Sequence, residues 1–163
     1  MMHAEALNWL TQHAQGLGRI GLLVDVGGRN INGSVRPLFD AERIIGVDLY
    51  PGPEVDVVCD IREWEPDALA DVVVCAEVLE HAPDAAGVVK ACRRLLKPGG
   101  RLLLTAAAPP RAPHSGHDGL DVREGEYYGN VEPLALTRWL SCFSHHEITY
   151  VRHHGDVYAE AIA

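Results

Sequence analysis

Basic residues are scarce in this chain. Lys and Arg number 14 against 23 Asp and Glu, a formal charge of −9 at pH 7. A protein that lives on nucleic-acid phosphates needs a basic face, so this balance disfavours nucleic acid as a partner. Cysteine is sparse as well. Cys59, Cys75, Cys92 and Cys142 form no C-x-x-C pair, and their spacings fit no zinc site. Three of them stand in apolar runs, where a thiol behaves as a small buried hydrophobe. A reducing, cytoplasmic setting follows as an expectation. No apolar stretch approaches the ~20 residues that cross a bilayer, so no membrane partner is expected. Met1-Met2-His3-Ala4-Glu5 lacks the basic start and apolar stretch of a signal peptide. No internal repeat, linker or low-complexity segment is visible.

What is there is ordinary globular composition. The 163 residues are 47% hydrophobic and 23% charged, which suits one domain over residues 1–163 with a full core. Leu7, Leu10, Ala14 and Leu17 recur near helical period and predict a helix over about 3–15, stopped by Gly16 and Gly18. Short continuous apolar runs follow at 22–26, 44–48, 55–59, 72–76 and 102–105. Such runs read as strands buried on both faces of a parallel sheet. A helix is predicted over 84–97, with Asp84 as N-cap and Arg93, Arg94 and Lys97 in its last turns. Pro98-Gly99-Gly100 should end it. A second helix is predicted over about 133–143. Two period-2 stretches, 146–153 and 157–162, read as a closing antiparallel hairpin. Alternating strands and helices imply an α/β domain with a mostly parallel sheet. In such sheets ligands bind beyond the C-terminal ends of the strands.

Those ends carry the chemistry. The first strand runs into Asp25-Val26-Gly27-Gly28-Arg29, where glycine lets the backbone pass close to a ligand. The second ends at Asp48-Leu49, about 20 residues beyond Gly27, where a carboxylate can accept from both hydroxyls of a ribose. The third ends at Asp60-Ile61, suited to an adenine edge: the carboxylate accepts from the exocyclic amine and a backbone N–H donates to a ring nitrogen. Together they point to a nucleoside cofactor. A dinucleotide wants G-x-G-x-x-G and a phosphate cradle, which this turn lacks. The carboxylate of Asp25 suits instead a ligand bearing a cation, such as an amino-acid ammonium.

At these residues the chain resembles a class I S-adenosylmethionine-dependent methyltransferase. The likeness lies in Val24 to Gly28, Gly46-Val47-Asp48, Cys59-Asp60-Ile61, Asp71 to His81 and Leu96 to Leu102, and runs from about residue 20 to the end. It implies a Rossmann-like seven-stranded sheet in order 3-2-1-4-5-7-6, strand 7 antiparallel, with helices on both faces. It implies S-adenosyl-L-methionine as cofactor. Asp25, Gly27, Gly28 and Arg29 would lie near the methionine moiety, Asp48 and Leu49 at the ribose, and Asp60 and Ile61 at the adenine. Ala76, Glu77 and Val78 would line the methionyl side. Arg29 departs from the pattern, standing where a second glycine is usual.

Methyl transfer is an in-line displacement, and alignment is the main task of the protein. No obligatory catalytic residue can be read off, since a base is needed only where the acceptor must lose a proton early. His81, His117 and Tyr127 are the candidates. The expected acceptor is a small molecule, with a protein side chain or a sugar or lipid-linked group still open. Neither an Asp-Pro-Pro-Tyr motif nor a Pro-Cys pair follows the fourth strand, which demotes DNA amino and cytosine C5 methylation. Residues 107–132, a long segment holding His114, His117, Asp118, Asp121, Tyr127 and Tyr128, are expected to form the acceptor side. No metal is expected: His114, His117 and Asp118 read as a solvated or substrate-facing loop. Trp9, Trp64 and Trp139 read as core or pocket wall. Two other readings stay open. A non-catalytic methyltransferase-like binding or scaffold protein would bind cofactor without turnover. An NAD-dependent oxidoreductase would bind nicotinamide.

Overall fold

The computed structural model describes residues 4–31 and 33–163. His3 and Asn32, within the predicted first helix and first loop, lie outside them. A helix, α1 (Ala4–Gln15), precedes β1 (Ile20–Val26), β2 (Ala41–Asp48), β3 (Val57–Val58) and β4 (Ala70–Ala76). Then come α2 (Ala85–Leu95), β5 (Leu96–Ala107), α3 (Pro133–Trp139), β6 (His145–Val151) and β7 (Asp156–Ile162). The seven strands lie in the order β3-β2-β1-β4-β5-β7-β6. The first five are parallel, and β7 runs antiparallel to both β5 and β6. This is the topology that the resemblance implies.

Both faces of the central strands are covered, which explains their unbroken apolar runs. Successive residues point to opposite faces. Leu23, Val72, Val74 and Leu103 pack under α1 through Leu10 and Ala14. Val24, Val73, Leu102 and Leu104 face the other way, onto Val88, Cys92 and Leu95 of α2 and Leu136 of α3. Leu7, assigned by its spacing to the apolar stripe of α1, is exposed, and Ala6 is buried instead. The three tryptophans are partly buried against the core, and none lines the main cleft. Among the described residues, no helix is long and apolar enough to cross a membrane.

Several boundaries differ from the sequence reading, and the helix predicted over about 133–143 ends at Trp139. The helix predicted over 84–97 stops at Leu95, and β5 begins at once. Pro98 clashes with an α conformation at the residue before it, so Lys97 is extended and its ammonium pairs with Asp71 at 2.6 Å. The N-cap stands: the Asp84 carboxylate accepts from the Gly87 N–H at 2.9 Å. The third strand shrinks to two residues. Asp56 instead turns its carboxylate back to accept from the Gly46 N–H at 2.8 Å and from Arg36. Between β1 and β2, no α-helix occurs among the described residues; the chain makes only a short 3-10 turn at Arg36–Leu38.

Candidate cofactor and acceptor cleft

The strand ends open into a cleft of about 500 Å³, within the range that holds small molecules. β1 leaves the sheet at Gly27, whose φ is +73°. A Cβ there would collide with the Val78 side chain, and one at Gly28 would lie 2.9 Å from the Gly46 Cα. The turn therefore needs glycine twice, once for conformation and once for the close crossing over β2. The N–H groups of Gly27 and Gly28 both donate to the Val47 carbonyl, which pins the turn to β2.

Asp25 is 5% exposed. Its carboxyl makes no hydrogen bond among the described residues, and its pKa is raised to about 7. Burial is the main cause, with Glu54 and Asp48 adding to it and Arg36 opposing. The Asp48 carboxylate accepts from the backbone N–H groups of Tyr50 at 2.9 Å and Arg29 at 3.3 Å. Asp60 is clamped by Arg62, whose guanidinium reaches both carboxylate oxygens and also Asp84. The hydrogen bonds from Arg62 hold the Asp60 carboxyl below its usual range. A carboxylate offers about four lone-pair sites, so Asp48 and Asp60 keep acceptor capacity for a ligand.

At the far wall the chain turns sharply after β4. Glu77 adopts a left-handed conformation (φ +56°), held by its N–H donating to the Thr105 carbonyl at 2.8 Å. Its side chain is buried beside Arg111 at 3.4 Å, and Arg111 also pairs with buried Asp156. Burial pushes the Glu77 carboxyl up against the pull of Arg111. Beneath it lies Glu80, fully buried and pushed up to about 8 by burial and by Glu77. Burial and the neighbouring His114 push His81 down to about 4.

Arg29 reaches across the mouth. Its guanidinium sits 5.4 Å over the Tyr50 ring and 3.4 Å from His117 Nδ1. His117 Nε2 is in turn 3.5 Å from Glu126. The residue that breaks the glycine pattern thus ties the β1 turn to the segment after β5.

The cofactor and catalytic candidates read from the sequence line this one cleft: Asp25, Gly27, Gly28, Arg29, Asp48, Leu49, Asp60, Ile61, Ala76, Glu77 and Val78, with His81, His117 and Tyr127. Of the segment after β5, Ser115, Gly116 and Glu126 line it too, whereas His114, Asp118, Asp121 and Tyr128 do not. Sequence reasoning missed Arg36, Glu54 and Arg111. Glu54 accepts from Ser34 at 2.6 Å and Asn30 at 3.1 Å, and so closes the first loop onto the second. An excess of acidic residues near strand ends is the one signal that could have pointed to the half-buried arginines. A dinucleotide is poorly served here: with no α-helix between β1 and β2 among the described residues, the turn offers no helix N-terminus to a pyrophosphate.

Residues 20–152 match the family model described as a methyltransferase domain. The chain belongs to this methyltransferase family. Similar sequences include the ubiquinone biosynthesis O-methyltransferases of Pseudomonas paraeruginosa, 33% identical over 118 residues, and Paraburkholderia xenovorans, 36% over 108. The alignments cover 61% and 58% of this chain and 49% and 47% of those enzymes. The chain thus spans about half the length of the curated relatives it matches. Among solved structures, N-methyltransferase NodS from Bradyrhizobium japonicum, in complex with S-adenosylhomocysteine, superposes with a TM-score of 0.68 at 16% identity, covering 97% of this chain and 85% of NodS. The 1,6-didemethyltoxoflavin-N1-methyltransferase of Burkholderia thailandensis gives 0.68 at 18%, covering 96% and 77%. These two share the fold.

Proposed function

We propose that this methyltransferase-family chain transfers a methyl group from S-adenosylmethionine to a small-molecule acceptor. The observation that carries the reading is the cleft itself, where three strands end in Asp25, Asp48 and Asp60 around a glycine turn with no phosphate cradle. The residues fit the cofactor. Asp25 is a buried carboxyl that makes no hydrogen bond among the described residues, and an ammonium would supply one. Asp48 retains lone pairs for a diol, and Ile61 gives a buried apolar wall beside Asp60. When bound, the cofactor supplies an electrophilic methyl group on a sulfonium.

The chain's own contribution is to position and to exclude water. Alignment of the reacting atoms can supply roughly 7–11 kcal/mol. Asp25, Asp48 and Asp60 would hold the cofactor at three points, and Val78 would close over the turn. His81, His117 and Tyr127 form the wall that faces an acceptor, with Arg29 bracing His117. The sequence relatives are named O-methyltransferases, which supports a hydroxyl acceptor.

Turnover of labelled S-adenosylmethionine to S-adenosylhomocysteine, screened over pooled hydroxylated metabolites, tests the reading. Binding without turnover across the pools would instead favour a non-catalytic cofactor-binding protein. Asp48→Ala should weaken cofactor binding by about 1.5–3 kcal/mol, the range for a hydrogen bond to a charged group. An unchanged dissociation constant, with circular dichroism intact, would move the ribose elsewhere. His117→Ala and Tyr127→Phe should lower turnover at near-normal cofactor affinity; full turnover in both would place the acceptor away from this wall.

A further inference from the structure

Glu80 is an anomaly that methyl transfer does not use. It is fully buried, and among the described residues neither carboxylate oxygen has a well-formed hydrogen bond; only the backbone N–H groups of Glu80 itself and Ala107 lie against it. Buried polar groups in native proteins are nearly always satisfied, and one that is not calls for an ion or a water. Two imidazoles stand beside it. One ligand-capable atom each from Glu80, His81 and His114 lie within 4.8 Å of one another. The fold brings them together from the turn after β4 and the segment after β5.

The surroundings favour metal ligation over a hydrogen-bonded cluster. Histidine ligands usually give their second ring nitrogen to a backbone carbonyl or carboxylate, which fixes the tautomer. His114 fits this pattern: its Nδ1 is 3.2 Å from the Ala112 carbonyl. His81 Nδ1 is buried and makes no hydrogen bond among the described residues, while the Tyr127 carbonyl lies against the same ring. The nearest guanidinium, Arg111, is engaged by Glu77 and Asp156. Tyr128 packs edge-on against both imidazoles and gives its hydroxyl to Asn130. The other residues weighed from the sequence go elsewhere, His117 to Arg29 and Glu126 and Asp118 to Arg123.

We propose that Glu80, His81 and His114 form a binding site for a divalent transition-metal ion at the acceptor wall of the cleft. Two imidazoles and one carboxylate suit a first-row transition ion better than Mg²⁺ or Ca²⁺, which take oxygen ligands. Three protein ligands leave positions open, and His81 lines the cleft, so an incoming oxygen donor could reach the ion.

The test uses Co²⁺ as the probe, with the full chain stripped by a chelator, and no cofactor or acceptor. Its outcome is therefore independent of methyl transfer. Calorimetry should give one saturable site, with a visible ligand-field band that grows to the same endpoint. Changes to the outer partners of metal ligands already cost about 10–100-fold in affinity. Glu80→Gln, His81→Ala and His114→Ala should therefore each weaken Co²⁺ by about tenfold or more and lose the band. His146→Ala, on the edge strand, should leave both unchanged. Binding that survives the three ligand variants, or no saturable binding, overturns the proposal. Circular dichroism checks each fold. His114 lies outside every helix and strand, so its variant decides the question alone if either of the others fails to fold.

Discussion

Asp25 occupies a position where burial and function pull in opposite directions. Its carboxyl is raised from 3.8 to about 7, chiefly by burial. The folded state therefore holds the proton more tightly than the unfolded chain. Its contribution to stability is full below pH 4 and is lost as pH rises toward 7. Asp25→Asn should remove that slope, so that wild-type stability relative to the variant falls between pH 4 and 7 in chemical-denaturation curves. An ammonium docking beside Asp25 would reverse the preference and draw the carboxyl down. Cofactor binding near pH 6 should then release a proton. Calorimetric heats should depend on buffer ionisation enthalpy in the wild type and not in Asp25→Asn. Equal dependence in both would separate Asp25 from the ammonium. Asp25 was legible in the sequence because it ends an apolar run before two glycines. Its charged neighbours were not, because Glu54 and Arg36 come from segments that only the fold brings near.

Elements built on continuous apolar runs were readable, and those set by a single residue were not. β1, β4 and the core of β5 stand out because both of their faces are covered. The start of β5 was hidden, since Leu96-Lys97 continues the helical spacing of α2 and only Pro98 forbids it. The region after β1 was opaque too, because it has neither helical nor strand periodicity. It is organised by side-chain contacts instead, with Glu54 holding Ser34 and Asn30. Arg29 is the most consequential of these. Its contact with His117 couples two loops, and Arg29→Gly should uncouple them. Hydrogen exchange should speed up at the amides of His117 and Gly119, which bond to the Ser115 side chain and carbonyl. Exchange in α2 should not change. Protection unchanged at both loop amides would mean that the segment is held without Arg29.

Taken whole, the molecule carries a formal charge of −9 and buries Asp25, Glu80 and Asp156 at one edge of its sheet. That edge is where a cationic ligand stabilises the native state most. A ligand that binds only the folded form adds about 2.7 kcal/mol at one hundred times its dissociation constant. For a chain of this size that is a rise in melting temperature of about 5–10 °C. S-adenosylmethionine should produce it, and NAD at the same concentration should not. A larger shift with NAD would count against the assignment of the cleft. The sheet order was foreseeable only through the family resemblance. Apolar patterning shows that strands exist; their neighbours are decided by right-handed crossovers and the closing hairpin, which leave little trace in local sequence.

The bridge from Arg29 to His117 also has a bearing on how such a chain can change over generations. Positions 29, 50 and 117 stand on three separate segments yet share one contact, so a substitution at one alters what the other two tolerate. Glycine at 29 would take away one partner of 117, leaving Glu126, and loosen the wall proposed to face an acceptor. Arginine there ties that wall to the glycine turn after β1. In a lineage of related chains these three positions should therefore be inherited as a set, with new acceptors arising mainly where the set has been broken.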